Sequence, residues 1–192
     1  LEILKVVVIV SVALVSSMFL LSSERIDIFL GEQWEEAKRI FMILCFAAFW
    51  QPLLCSTGWI YTSFGNTKRF VKWGYINSSL LIVSFSIGAI WNTIGVAYAY
   101  SIYMWIIVIP NFKYAFHDTP LSVSDILRQV VKPLIYTLWL VLVVYEIKYY
   151  WINSFNLMVR TVITCSIIIF LWGIYMLLDK ETFHVIQKLK NR

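Results

Sequence analysis

The chain has 192 residues, 60% of them hydrophobic and 17% aromatic, with 14% charged and a net charge of +5. Soluble domains carry roughly a quarter charged residues, so this composition excludes a water-soluble globular domain and points to a membrane protein. The basic residues sit at the ends of apolar runs and form no stripe, so the positive charge reports topology, not a nucleic-acid partner.

A bilayer core about 30 Å thick needs about 20 apolar residues in a helix; several windows meet that length, and six membrane helices are read along the chain. The first runs from Leu4 to Leu21. It lacks the basic start and small-residue cleavage site of a signal peptide, and is read as a full transmembrane helix at the start of part of a larger protein. The stretch 22–39 that follows carries acids first and Lys38 and Arg39 last. A helix beginning after Gly31 would place Glu32, Glu35 and Glu36 in its first turns, where the helix dipole favours negative charge. Glu35 and Arg39 would form an i,i+4 pair.

The second span covers Ala37 to Phe64. Pro52 removes a backbone donor at its middle, which predicts a kink near Trp50, Gln51 and Pro52. The stretch "SFGNTKRFVKWG", residues 63–74, reads as a tight turn at Gly65 and Asn66 held by Lys68, Arg69 and Lys72. The third span runs from Phe70 to Ile90. The fourth runs from Trp91 or Ile94 to Ile109, where Pro110 ends or bends it. Residues 117–132 read as an interfacial amphipathic linker capped at Ser122 or Ser124. The fifth span starts near Pro133 and reaches about Tyr145, and the sixth runs from Leu157 to Leu178. Residues 179–192 form a polar tail.

If the 63–74 turn is cytoplasmic, that side also holds Lys5, Lys113, Arg128, Lys132, Lys180, Lys188, Lys190 and Arg192. The opposite side holds only Arg25, Lys38, Arg39, Lys148 and Arg160. The positive-inside rule then puts both ends of the chain in the cytoplasm. Trp34, Trp73, Trp91 and the Tyr149-Tyr150-Trp151 cluster stand at span ends, as interfacial aromatic belts do.

Enzyme signatures are missing. There is no Gly-rich phosphate loop, no HExxH and no pair of carboxylates within a span, so neither catalysis nor a cofactor is expected. Cys45, Cys55 and Cys165 all lie in apolar runs without CxxC spacing and read as packing residues. His117 and His184 stand in polar segments and read as solvated. Glu146 and Arg160 flank the last outer turn and read as interfacial. The spans do contain uncharged polar groups, among them Asn77, Ser78, Ser79, Ser84 and Ser86 in the third, which read first as interhelical hydrogen-bonding groups. A broken helix is tolerated where it lines a cavity. Trp50, Gln51, Tyr61 and Asn77 are therefore the candidate substrate-cavity residues. Lys68, Arg69, Lys72 and Lys132 are candidates for lipid phosphates, or for fixing topology alone.

Several stretches, read in order, resemble one family. "FLGEQWEEAKRIFMIL", "GWIYTSFGNTKRFVKWGYINS", "SFSIGAIWNTIGVAYAYSIYMWIIVIPNFKYAF" and "TPLSVSDILRQVVKPL" together resemble the polysaccharide flippases that export lipopolysaccharide, capsule or teichuronic-acid units. These belong to the superfamily of multidrug and toxic compound extrusion transporters. The resemblance implies an all-α integral membrane protein with about 14 helices in two lobes plus a terminal pair, of which this chain is the C-terminal part. Residues 1–116 would be four helices of the second lobe, 117–132 a cytoplasmic linker, 133–178 the terminal pair and 179–192 a cytoplasmic tail. It further implies flipping of undecaprenyl-pyrophosphate-linked oligosaccharide across the bacterial inner membrane by alternating access. The partners would be that lipid-linked oligosaccharide, membrane lipids and the N-terminal half of the transporter. One departure is plain: flippases place cationic residues inside the lobes, whereas no Lys or Arg lies deep in a span here. A cation-coupled multidrug antiporter would need a buried Asp or Glu, which no span offers. A polytopic enzyme of glycan assembly would need partners that the His117-Asp118 pair lacks.

Overall fold

The computed structural model describes residues 2–31, 33–117, 119–120, 122–152 and 155–179. Among them the ordered elements are all helical, and no strand occurs. They are α1 (Glu2–Leu20), α2 (Ser22–Phe29), α3 (Glu35–Ala48), α4 (Gln51–Ser63), α5 (Thr67–Gly88), α6 (Asn92–Phe116), α7 (Val123–Ile147) and α8 (Leu157–Leu178). By length and apolarity four runs can cross a membrane, or five if the bent α1–α2 pair is one of them. The helices thus fit a membrane-spanning all-α protein.

One of those runs, Thr67–Phe116, is 50 residues long. Straight, it would measure roughly 75 Å, more than twice a bilayer core. A short 3-10 turn, Ala89–Trp91, breaks it, and α6 then runs back along α5. The antiparallel register is set by Arg69 against Tyr114, Asn77 against Tyr103 and Ser84 against Ala99. The two legs correspond to the third and fourth spans read from the sequence.

The chain divides into two compact units, Glu35–Arg128 and Leu1–Trp34 with Gln129–Arg192. In the first, α6 packs against α3, α4 and α5. It runs parallel to α3 and α4, with Ser101 Oγ donating to the Ile43 carbonyl at 2.8 Å and Asn111 Nδ2 reaching Thr57 Oγ1 at 3.4 Å. Hydrogen bonds of this kind stabilise helix pairs within a bilayer by about 0.6 kcal/mol each. Two α5 serines do something else: Ser79 and Ser86 bond back to their own helix, whereas Ser84 crosses to α6.

In the second unit α1 and α8 are antiparallel. Lys5 lies 3.5 Å from Asp179 at one end, Trp172 Nε1 donates to Ser16 Oγ midway, and Glu24 meets Arg160 at the other end. Helix α7 returns along α8, with Tyr136 hydroxyl donating to the Leu171 carbonyl at 2.5 Å within a cluster of Tyr136, Trp139, Trp172 and Tyr175.

Several boundaries differ from the sequence reading. After α1 the chain turns by 65° into the short helix α2, which the sequence reading does not assign. Helix α3 begins at Glu35, and Glu32 lies outside the described residues. Glu35 takes Lys38 at 3.0 Å, one turn away, where Arg39 was the expected partner. Pro110 neither ends α6 nor marks its last turn: the helix continues to Phe116, because Asn111, Phe112, Ala115 and Phe116 beyond it are buried. Packing of that terminal turn outweighs one lost backbone hydrogen bond. Helix α7 likewise starts ten residues before Pro133, at Val123. Residues 180–192, which include His184 and most of the polar tail, lie outside the described residues.

Candidate functional site

The helix breaks where the kink is expected, between Ala48 and Gln51, and the backbone chemistry of the break is legible. Pro52 stands in the first turn of α4, and Trp50 N–H turns to Ala47, three residues back, at 3.2 Å. That leaves the Phe46 carbonyl without its usual helical donor, and Trp105 Nε1 of α6 takes its place at 3.2 Å. Phe49, Trp50 and Trp105 form an aromatic cluster around the break, with Trp50 edge-on to both neighbours at 4.8 and 5.2 Å. Trp50 is buried, and its Nε1 has no hydrogen-bond partner among the described residues.

The other candidate cavity residues diverge. Gln51 is exposed. Tyr61 is buried against Phe70, and its hydroxyl has no hydrogen-bond partner among the described residues. It stands eleven residues beyond Trp50, roughly 16 Å along the helix axis. Asn77 accepts the Tyr103 hydroxyl at 2.6 Å on its side chain and 2.9 Å on its carbonyl, which locks α5 to α6. A groove of about 690 Å³ along α5 and α6 is lined by other, mostly apolar residues, including Val83, Ile87, Trp91, Tyr98 and Ile102.

The 63–74 stretch forms a helix stop followed by a helix start. Gly65 adopts a φ of +71°, with Asn66 N–H bonded to the Tyr61 carbonyl and Gly65 N–H to that of Thr62. This is the paired pattern of a Schellman stop, in which a left-handed residue lets the last carbonyls find donors. Arg69 then crosses to the end of α6. It donates to the Tyr114 and His117 carbonyls at 3.1 and 3.2 Å and to His117 Nδ1 at 3.0 Å, with its guanidinium 4.7 Å from the Tyr114 ring centroid. A cation there satisfies terminal carbonyls and the negative end of the helix dipole. Arg69 is thus committed to the fold. Lys68 and Lys72 are exposed, as is Lys132 on α7 in the other unit.

Sequence reasoning missed the most buried ionic group. Glu24, in α2, is fully buried. Its Oε1 lies 2.6 Å from Lys148 Nζ and 3.1 Å from Arg160 Nε. Lys148 also donates to the Leu20 carbonyl at 2.7 Å, where α1 bends. These are ion-pair contacts: neither Oε1 nor Oε2 has a hydrogen-bond partner among the described residues. One acid therefore holds two bases, and three elements meet at it: α2, the π-helical stretch Lys148–Ile152 that continues α7, and the first turn of α8. Arg160 is not a free interfacial cation, and a buried carboxylate does exist just beyond α1. Its only sequence signal is an acid close behind a transmembrane run, because both partners come from remote parts of the chain. Comparison with family models, characterised proteins and solved structures finds no match.

Proposed function

We propose that the chain is the C-terminal part of a bacterial inner-membrane flippase for undecaprenyl-pyrophosphate-linked oligosaccharide, with both ends of the segment in the cytoplasm. An N-terminal set of helices would complete its two lobes. The observation that carries the reading is the broken span at Trp50, Gln51 and Pro52, which lies between two of the stretches that resemble those transporters. A glycan crossing hydrocarbon without hydrogen-bond partners would be strongly disfavoured, so a translocator must offer polar groups and aromatic faces inside the bilayer. Trp50, whose Nε1 has no hydrogen-bond partner among the described residues, and Gln51 next to it offer both at a point where the backbone is already irregular. In this reading two helical lobes rock about the polar cavity while the polyprenyl tail stays in lipid, and no covalent step occurs.

Glu24 favours a second reading, a cation-coupled multidrug antiporter, since such coupling uses a buried carboxylate. The two are separated in vesicles. The full-length protein is reconstituted with a fluorescent undecaprenyl-pyrophosphate oligosaccharide, and the fraction reachable by an external quencher is followed. Flippase activity is expected to accelerate exchange between leaflets, and Trp50→Ala with Gln51→Ala to slow it at least tenfold. Unchanged exchange, together with drug uptake driven by a pH gradient and lost in Glu24→Gln, would support the antiporter instead.

A further inference from the structure

We infer that the end of the α5–α6 hairpin formed by Lys68, Lys72 and Lys113 binds the phosphate headgroup of an anionic phospholipid. From Thr67 to His117 the sequence contains no Asp or Glu. The antiparallel register that sets Arg69 against Tyr114 and Asn77 against Tyr103 brings Lys113 to the level of Arg69 and Lys72. Lys68 and Lys72, four residues apart, share one face of α5. All three lysines are exposed, and none has an ion-pair partner among the described residues. Asp118, which adjoins His117 and lies outside the described residues, could offset only one of these cations.

Arg69 has a different task. Its bonds to the Tyr114 and His117 carbonyls fix the two helix ends together, so the lysines are displayed on a rigid base. Trp73 stacks on Tyr114 at 4.9 Å just inside the same end, the depth at which aromatic side chains meet headgroups. What surrounds the cations decides the ligand. Phe70, Val71 and Tyr75, on the same turns of α5, are all exposed, with Tyr75 74% accessible. A soluble anion would leave that apolar surface uncovered. A lipid covers it with acyl chain while its phosphate reaches the lysines. The inference needs only that the hairpin end lie at a bilayer surface, and holds whether or not a glycan is carried.

The test uses the full chain in neutral detergent micelles, titrated with short-chain dihexanoyl phosphatidylglycerol, dihexanoyl phosphatidylcholine or inorganic phosphate. With each cation near an anionic headgroup contributing about a factor of five, phosphatidylglycerol is expected to bind on the order of 100-fold tighter than phosphatidylcholine. K68Q/K72Q/K113Q should abolish the difference, while K68R/K72R/K113R keeps it. Added salt should weaken phosphatidylglycerol binding to the unaltered chain, a readout that does not depend on any variant folding. Equal binding of the two lipids, an undiminished preference in the glutamine variant, or inorganic phosphate binding as tightly as phosphatidylglycerol would each overturn the inference.

Discussion

Glu24→Ala is expected to lower the stability of the chain by about 3 kcal/mol, the scale of breaking a buried ion pair from one side. The cause is not the lost attraction alone. Lys148 and Arg160, at 2.6 and 3.1 Å from the carboxylate, would remain mostly buried with no counter-charge. Lys148 retains the Leu20 carbonyl, which softens its loss, whereas Arg160 Nε has no hydrogen-bond acceptor among the described residues. Replacing the whole cluster removes the penalty: Glu24→Leu, Lys148→Met and Arg160→Leu together should recover most of the stability, because packed apolar groups need no counter-charge. Thermal unfolding in detergent, followed by circular dichroism, reads both variants. If Glu24→Ala melts with the unaltered chain, the cluster is not the clamp described here.

Gly95→Ala is expected to cost about 2 kcal/mol, by overpacking. A methyl group there would overlap the Gly88 carbonyl oxygen and the Trp91 Cβ, and one at Gly88 would come within 2.8 Å of the Gly95 carbonyl and Val96 Cα. These neighbours are backbone or the root of a side chain, so they cannot swing away. The hairpin must open at its turn, where Asn92 already sits at a φ of +62°. Gly74, in the same α5, is the internal control: nothing lies within 4 Å of its would-be methyl. Gly74→Ala should therefore be neutral or stabilising by up to about 1 kcal/mol, through lower chain entropy in the unfolded state. Comparable destabilisation by the two alanines would mean that helix propensity, not close approach, governs the site.

The contrast between those glycines shows where sequence reading reaches its limit. Run length and apolarity located the long apolar helices, because a bilayer imposes a length that few other constraints can mimic. The break at Pro52 was legible because a missing N–H is a local fact, as was the left-handed stop at Gly65. Pro110 carries the same local signal, yet α6 passes through it, since the decision rests with Phe112 and Phe116 packing beyond. Nothing around Gly74 or Gly95 in the sequence tells which one touches another helix. Glu24 illustrates the same limit for charge: nothing local marks it as buried, because Lys148 and Arg160 reach it from remote parts of the chain. Asn77, read as a possible cavity wall, meets a donor from Tyr103 that only the hairpin register could reveal.

The membrane topology of the α5–α6 hairpin can be measured directly. With Cys45, Cys55 and Cys165 replaced by serine, single cysteines are introduced at Asn66 and at Ile90, an exposed residue in the 3-10 turn. A membrane-impermeant thiol reagent is then applied to either side of sealed membranes holding the chain. Two antiparallel legs predict labelling from opposite sides, with position 66 reached from the cytoplasm and position 90 from outside. Labelling of both positions from one side would contradict a membrane-spanning hairpin, and with it the proposed flippase.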